Sequence, residues 1–97
     1  MRMKMFFDKK GEPIEFSELA ELAECPSYRI VARNNFDDGS FLSTIWTGIN
    51  MSMRDSKKEI FETMYFSKDQ SIFNVGRWST EEEALKQHGE ALNKYKP

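Results

Sequence analysis

Between residues 28 and 78 the chain carries four segments rich in aromatic and β-branched residues, separated by polar turns. Residues 28–34 alternate polar and apolar and run into Asp37-Asp38-Gly39, a strong hairpin signal. Residues 41–50 hold Thr44, Ile45, Trp46, Thr47 and Ile49. Residues 51–58 are polar and basic and read as a loop. Residues 59–66 place Phe61 and Tyr65 on one side and Ile60, Met64 and Phe66 on the other. A polar turn at residues 67–71 leads into a fourth strand over 72–78. Successive strands joined by short loops pair antiparallel, so the expectation is a four-stranded meander.

The flanks read as helical. Residues 16–24 put Phe16, Leu19, Ala20, Leu22 and Ala23 on one side and Glu18, Glu21 and Glu24 on the other. Ser17 is the expected N-cap and Pro26 the stop. Before it, residues 3–7 and a turn at Lys9-Lys10-Gly11 suggest a short edge strand or hairpin. At the other end Ser79 or Thr80 caps a helix, each with a Glu three residues on, the capping-box spacing. Ala84, Leu85, His88, Ala91, Leu92 and Tyr95 form its apolar stripe, with Gly89 at the stripe's edge expected to allow close approach to the sheet. The fold class expected is α+β: an antiparallel meander of about four strands packed by a C-terminal helix, with a short N-terminal strand and helix, in a single domain over residues 1–97.

A chain of this size buries roughly 60–65% of its unfolded surface, so its core must rest on the eight Phe, three Tyr and two Trp. Several strands carry apolar groups on both faces. Either a second subunit, giving a homodimer, or the N-terminal segment would have to cover the second face. No apolar run approaches the roughly 20 residues of a membrane span, and the N-terminus has no apolar core of a signal peptide. The single Cys25 forms no internal disulfide and fits a reducing cytoplasm.

Catalytic motifs are absent from the sequence, including the phosphate-binding glycine loops and the nucleophile elbow. His88, the only histidine, reads as a half-buried residue hydrogen-bonded to the sheet, against the alternative of a general base at the centre of a small enzyme. Cys25 follows Glu24 at the C-terminal end of a helix, a setting that raises a thiol pKa and opposes nucleophilic use. One Cys and one His do not make a zinc site, and Asp37-Asp38-Gly39-Ser40 reads as a turn before a calcium loop. No cofactor and no metal is expected.

Charge is balanced overall, 14 basic residues against 16 acidic for a net −2, but unevenly placed. Glu12, Glu15, Glu18, Glu21 and Glu24 recur every third residue with no basic residue between them. They are either the solvated face of a helix or an acidic stripe for a basic partner. Trp46, Phe61, Tyr65 and Trp78, with Arg29, Arg33, Arg77 and the loop 54–58, supply the ingredients of a nucleic-acid-binding sheet.

Ser43-Thr44-Ile45-Trp46-Thr47-Gly48-Ile49-Asn50, then Ile60-Phe61-Glu62-Thr63-Met64-Tyr65-Phe66, then Arg77-Trp78-Ser79-Thr80-Glu81-Glu82-Glu83-Ala84 with His88 beyond, form an ordered set of motifs, preceded by Phe6-Phe7-Asp8-Lys9-Lys10-Gly11-Glu12-Pro13-Ile14. Together they resemble a family of small uncharacterised proteins found in bacteriophages, prophages and some bacteria. Relatives commonly carry a His where this chain has Met51, a Gly/Pro-rich loop at Arg54 to Lys58 and a Gly pair at Ser67-Lys68. The resemblance implies a phage or prophage accessory protein in a bacterial cytoplasm.

The expected function is non-enzymatic: stoichiometric binding of a host protein, such as inhibition of a host or defence factor. Glu18, Glu21 and Glu24 are the leading contact residues, followed by Arg54, Lys57 and Lys58. A nucleic-acid-binding protein is the second reading.

Overall fold

The computed structural model describes residues 5–50, 52 and 58–96. In chain order it contains α1 (Phe16–Ala23), α2 (Pro26–Arg29), β1 (Ile30–Asn35), β2 (Phe41–Trp46), β3 (Phe61–Phe66), β4 (Ile72–Trp78) and α3 (Glu81–Tyr95). The strands form one antiparallel sheet in the order β1-β2-β3-β4. This is the α+β meander expected from the strand spacing, with α3 packed on one face.

The β1–β2 turn bends at Gly39, whose φ of 92° is in the left-handed region that glycine adopts without a Cβ penalty. Asp38 accepts from the Ser40 backbone N–H and hydroxyl, which makes this segment an Asx turn. Thr80 Oγ1 accepts from the Glu83 N–H at 3.1 Å, and Glu83 accepts from the Ser79 N–H at 3.0 Å. That reciprocal pair is why α3 starts where it does; a cap of this kind contributes about 1 kcal/mol.

Alternation divides the sheet cleanly. Leu42, Thr44 and Trp46 of β2 pair across the ladder with Tyr65, Thr63 and Phe61 of β3. These side chains lie beneath α3: Tyr65 stacks on Tyr95 at 4.7 Å, and Ala84, His88 and Ala91 are buried on the helix's inner face. The core continues past the end of the sheet. Phe7, Leu19, Trp46, Ile60, Phe61 and Ala84 form one cluster. The Trp46 indole donates to the Phe7 carbonyl at 3.0 Å, and Tyr28 meets the Trp46 ring edge-on at 4.9 Å.

Several local expectations are corrected. Tyr28 and Arg29, read as the start of the first strand, belong instead to the short helix α2, because Pro26 occupies its first turn, where a missing N–H costs nothing. The second strand ends at Trp46, since Gly48 turns the backbone to φ 72°. The third begins at Phe61, two residues later than expected. Of the expected N-terminal strand or hairpin, residues 3 and 4 lie outside the described residues, and the rest is a small hairpin about Lys9-Lys10-Gly11, with isolated bridges from Phe7 to Pro13 and from Phe6 to Ile49. The N-cap of α1 is Glu15, not Ser17, with no side-chain cap bond. On α1 only Leu19 is buried, while Phe16 is 64% exposed. On α3, Leu85 points outward and Gly89 faces open space, so neither contributes to packing on the sheet.

Candidate protein-binding face

The N-terminal segment packs on the same side of the sheet as α3, through Phe7 and Leu19. Among the described residues nothing covers the opposite face. Parity puts Arg33 of β1, Phe41, Ser43 and Ile45 of β2, Glu62, Met64 and Phe66 of β3, and Ile72 of β4 on that face. A groove of about 280 Å³ opens there, bounded by Arg29, Ile30, Arg33, Phe41, Ile45, Met64 and Phe66.

The aromatic geometry on this face is specific. Phe41 and Phe66 stack at 4.4 Å with planes 12° apart, and the Arg33 guanidinium lies 4.0 Å from the Phe41 ring centroid. Phe41 is thus sandwiched between a neighbouring ring and a cation. Such a ladder rigidifies the face and leaves Phe41 only partly exposed. The aromatics expected to stack nucleobases are on the other side: Trp46 and Phe61 are fully buried and Tyr65 is stacked on Tyr95 beneath α3. Trp78 reaches inward, its indole donating to Thr63 at 2.9 Å.

Charge on the open face is uneven. Glu62 pairs with Arg77 at 3.2 Å and accepts from the Asn74 amide. Arg29 and Arg33 have no carboxylate partner among the described residues. The Arg29 Nε is buried with no acceptor. Both edge strands carry a bulge, at Val31 in β1 and at Val75 in β4. A bulge interrupts the ladder a further strand would need, which favours the face over the edges as a docking surface.

Of the residues expected to bind a partner, Glu18, Glu21 and Glu24 are exposed along α1 and its C-cap, with Glu12 and Glu15 exposed before them. None of the five has an ion pair among the described residues. Arg54 and Lys57 lie outside the described residues. Lys58 is engaged within the chain: its ammonium donates to the Gly11 carbonyl at 2.8 Å and lies over the Phe7 ring. The acidic helix and the groove are therefore separate features, and the groove's apolar wall was legible only as strand alternation.

No protein-family model matches the chain, and neither a curated protein nor a solved structure is similar to it.

His88 has both ring nitrogens committed. Thr44 Oγ1 is 2.7 Å from Nδ1 and 2.6 Å from Thr63 Oγ1, and Asn34 Oδ1 is 2.8 Å from Nε2. The Trp78 indole can only donate. One arrangement satisfies every proton: Trp78 donates to Thr63, Thr63 to Thr44, Thr44 to Nδ1, and Nε2–H to Asn34. The chain runs one way and specifies the neutral imidazole. Burial pushes the His88 pKa below its ordinary value. A protonated ring would donate from Nδ1 and reverse the Thr44 hydroxyl, leaving the Thr63 proton without an acceptor. A base role would require one of these bonds to break.

Because the folded-state value is depressed, this contribution to stability is complete above the unfolded-state pKa of about 6.5 and is lost as pH falls below it. The unfolding free energy, measured in urea, is expected to be flat just above pH 7 and to decline between about pH 6.5 and 5, before most carboxylates titrate. His88→Gln should flatten that interval. A wild-type profile level across it would refute the neutral-ring assignment.

Cys25 differs from expectation. It is the N-cap of α2 rather than the end of α1 alone, and its thiol pKa is lowered, chiefly by the Ser27 hydroxyl at 3.1 Å and then by the Tyr28 backbone N–H. Neither His88 nitrogen contacts it. Among the described residues no group of three or more His, Cys, Asp or Glu side chains is placed to hold a metal, and no helix is long and apolar enough to cross a membrane.

Proposed function

We propose that this protein is a non-enzymatic binding module that captures one protein partner on the uncovered face of its sheet. The observation that carries this reading is the face itself. A meander packed by helices on one side leaves Ile45, Met64, Phe41 and Phe66 around a groove that no other part of the described chain fills. A contiguous apolar surface of this kind is characteristic of an interaction site. The exposed glutamates of α1 form a second contact region. In this proposal the setting is the one the family resemblance suggests, a phage-encoded accessory protein that binds a host factor in the bacterial cytoplasm.

The test uses the tagged protein as bait in bacterial lysate, with bound protein quantified against bait. Wild type should retain one partner near equimolar ratio. Replacing Ile45 and Met64 together with Lys puts two charges into the centre of the contact and should weaken capture by at least about 30-fold, the scale of losing a hot spot. The triple reversal Glu18→Lys, Glu21→Lys, Glu24→Lys should weaken it less and in a salt-dependent way. Undiminished capture by the correctly folded Ile45/Met64 variant rules out the sheet face.

A further inference from the structure

The uncovered face has a chemistry that selects among partners. We infer that it takes an acidic, apolar-flanked peptide segment, with Arg29 and Arg33 receiving the carboxylates and the groove beside Ile45 and Met64 receiving the neighbouring apolar side chains. This rests on the reading of the sheet face as a protein-binding surface and specifies what it binds.

Three observations point this way. Arg29 and Arg33 border the same groove, and neither has a carboxylate partner among the described residues, whereas Arg77 on the same face has Glu62. Guanidinium groups bind carboxylates through paired, directional hydrogen bonds. Arg33 is held over Phe41, with its Nε donating to Asn35 at 3.1 Å, which leaves its terminal amino groups as the donors available to a ligand. The Arg29 Nε proton is buried without an acceptor, so this guanidinium is not satisfied within the chain. The groove, about 280 Å³, is at or below the lower end of small-molecule sites, roughly 300–1,000 Å³. It suits a few side chains of a larger partner.

Two other occupants fit less well. A nucleic acid would find the Phe41 ring already engaged by Phe66 and Arg33, on a chain of net −2 with five exposed glutamates in residues 12–24. A second copy docked face to face would bring the same unpaired arginines, and its Glu62 is already shared by Arg77 and Asn74. The chain's own acidic helix presents Phe16 as its one exposed large apolar side chain, because Leu19 is turned into the core.

The experiment is selection of displayed random short peptides on the immobilised full chain, followed by affinity measurement of the enriched peptides by fluorescence anisotropy. The expected result is enrichment of Asp or Glu beside Leu, Ile or Phe. Binding should fall at least about tenfold in Arg29→Gln/Arg33→Gln and also fall in Ile45→Lys/Met64→Lys. It should be unchanged in Leu85→Gln, which points outward from α3 and borders neither the groove nor the acidic helix. The glutamine pair retains bulk and polarity, and circular dichroism of each variant confirms its fold. Peptides lost with Ile45→Lys/Met64→Lys but indifferent to the arginine pair would overturn the acidic assignment and leave the sheet-face reading standing. Peptides indifferent to both variants, or no enrichment, would overturn both. Concentration-dependent dimerisation that is abolished by Ile45→Lys/Met64→Lys, or single-stranded oligonucleotide binding that competes with the peptides, would replace the acidic segment as the occupant.

Discussion

Gly48→Ala is expected to cost about 2–5 kcal/mol of stability. Gly48 sits at φ 72°, and an ideal Cβ there would stand 2.4 Å from Leu19 Cδ1 and 2.5 Å from Trp46 Cζ2. A left-handed conformation costs an L-residue roughly 1–2 kcal/mol, and forcing a methyl into a packed core adds about 1–3 kcal/mol. Neither neighbour can yield freely. Trp46 is fully buried and tied to the Phe7 carbonyl, and Leu19 is the one buried side chain of α1. The same backbone also joins three segments: its N–H donates to Ile60 and its carbonyl accepts from Phe7 at 2.8 Å. In a domain of this size each kcal/mol moves the melting temperature by about 4–8 °C, so a fall on the order of 10–30 °C should be visible by circular dichroism. Gly89→Ala is the control of opposite sign. Its Cβ would enter open space on α3, and helix propensity predicts a gain of about 0.8–1 kcal/mol. A Gly48→Ala melt matching wild type would remove the turn as the joint between the N-terminal segment and the sheet.

The strand order and the final helix could be read from sequence because both rest on local pattern: aromatic and β-branched segments separated by polar turns, and a capping box before a helical stripe. Short-range turns such as Asp37-Asp38-Gly39 were legible for the same reason. What failed depended on partners distant in sequence. Nothing near Gly48 announces that Leu19 and Trp46 close over it. Pro26 reads equally as the end of one helix or the first turn of the next. Residues 16–24 have a helical apolar arc, yet Phe16 stays exposed because the sheet's end accommodates Leu19. The acidic stripe could be located, since charge spacing alone defines it. The paired arginines of the groove could not be isolated as a site, because Arg29 and Arg33 lie on different elements and what distinguishes them from Arg77 is a missing carboxylate. The His88 bonds likewise join β1, β2, β3 and α3, which sequence spacing does not bring together.

The relay through His88 should be the most sensitive polar feature of the fold. Thr44→Val preserves side-chain shape while deleting the one hydroxyl that both accepts from Thr63 and donates to His88 Nδ1. Thr44 and Thr63 have no exposed surface, and His88 is 4% exposed, so water cannot readily substitute for the lost group. The variant leaves the Thr63 proton without an acceptor and Nδ1 without a donor, and each buried orphan costs about 1–3 kcal/mol. The expected loss is about 2–6 kcal/mol, a large fraction of a total that is typically about 5–15 kcal/mol. Repacking is restricted on the far side of the chain as well. The Trp78 ring lies over Gly76, where a Cβ would stand 2.4 Å from it, and this placement brings the indole to Thr63. Thr44→Ser, which keeps the hydroxyl, should recover most of the polar loss while sacrificing a methyl. Urea unfolding of both variants separates the two effects. If Thr44→Val proves as stable as wild type while Thr44→Ser does not, the site is held by packing and the hydrogen-bonded relay contributes nothing to stability.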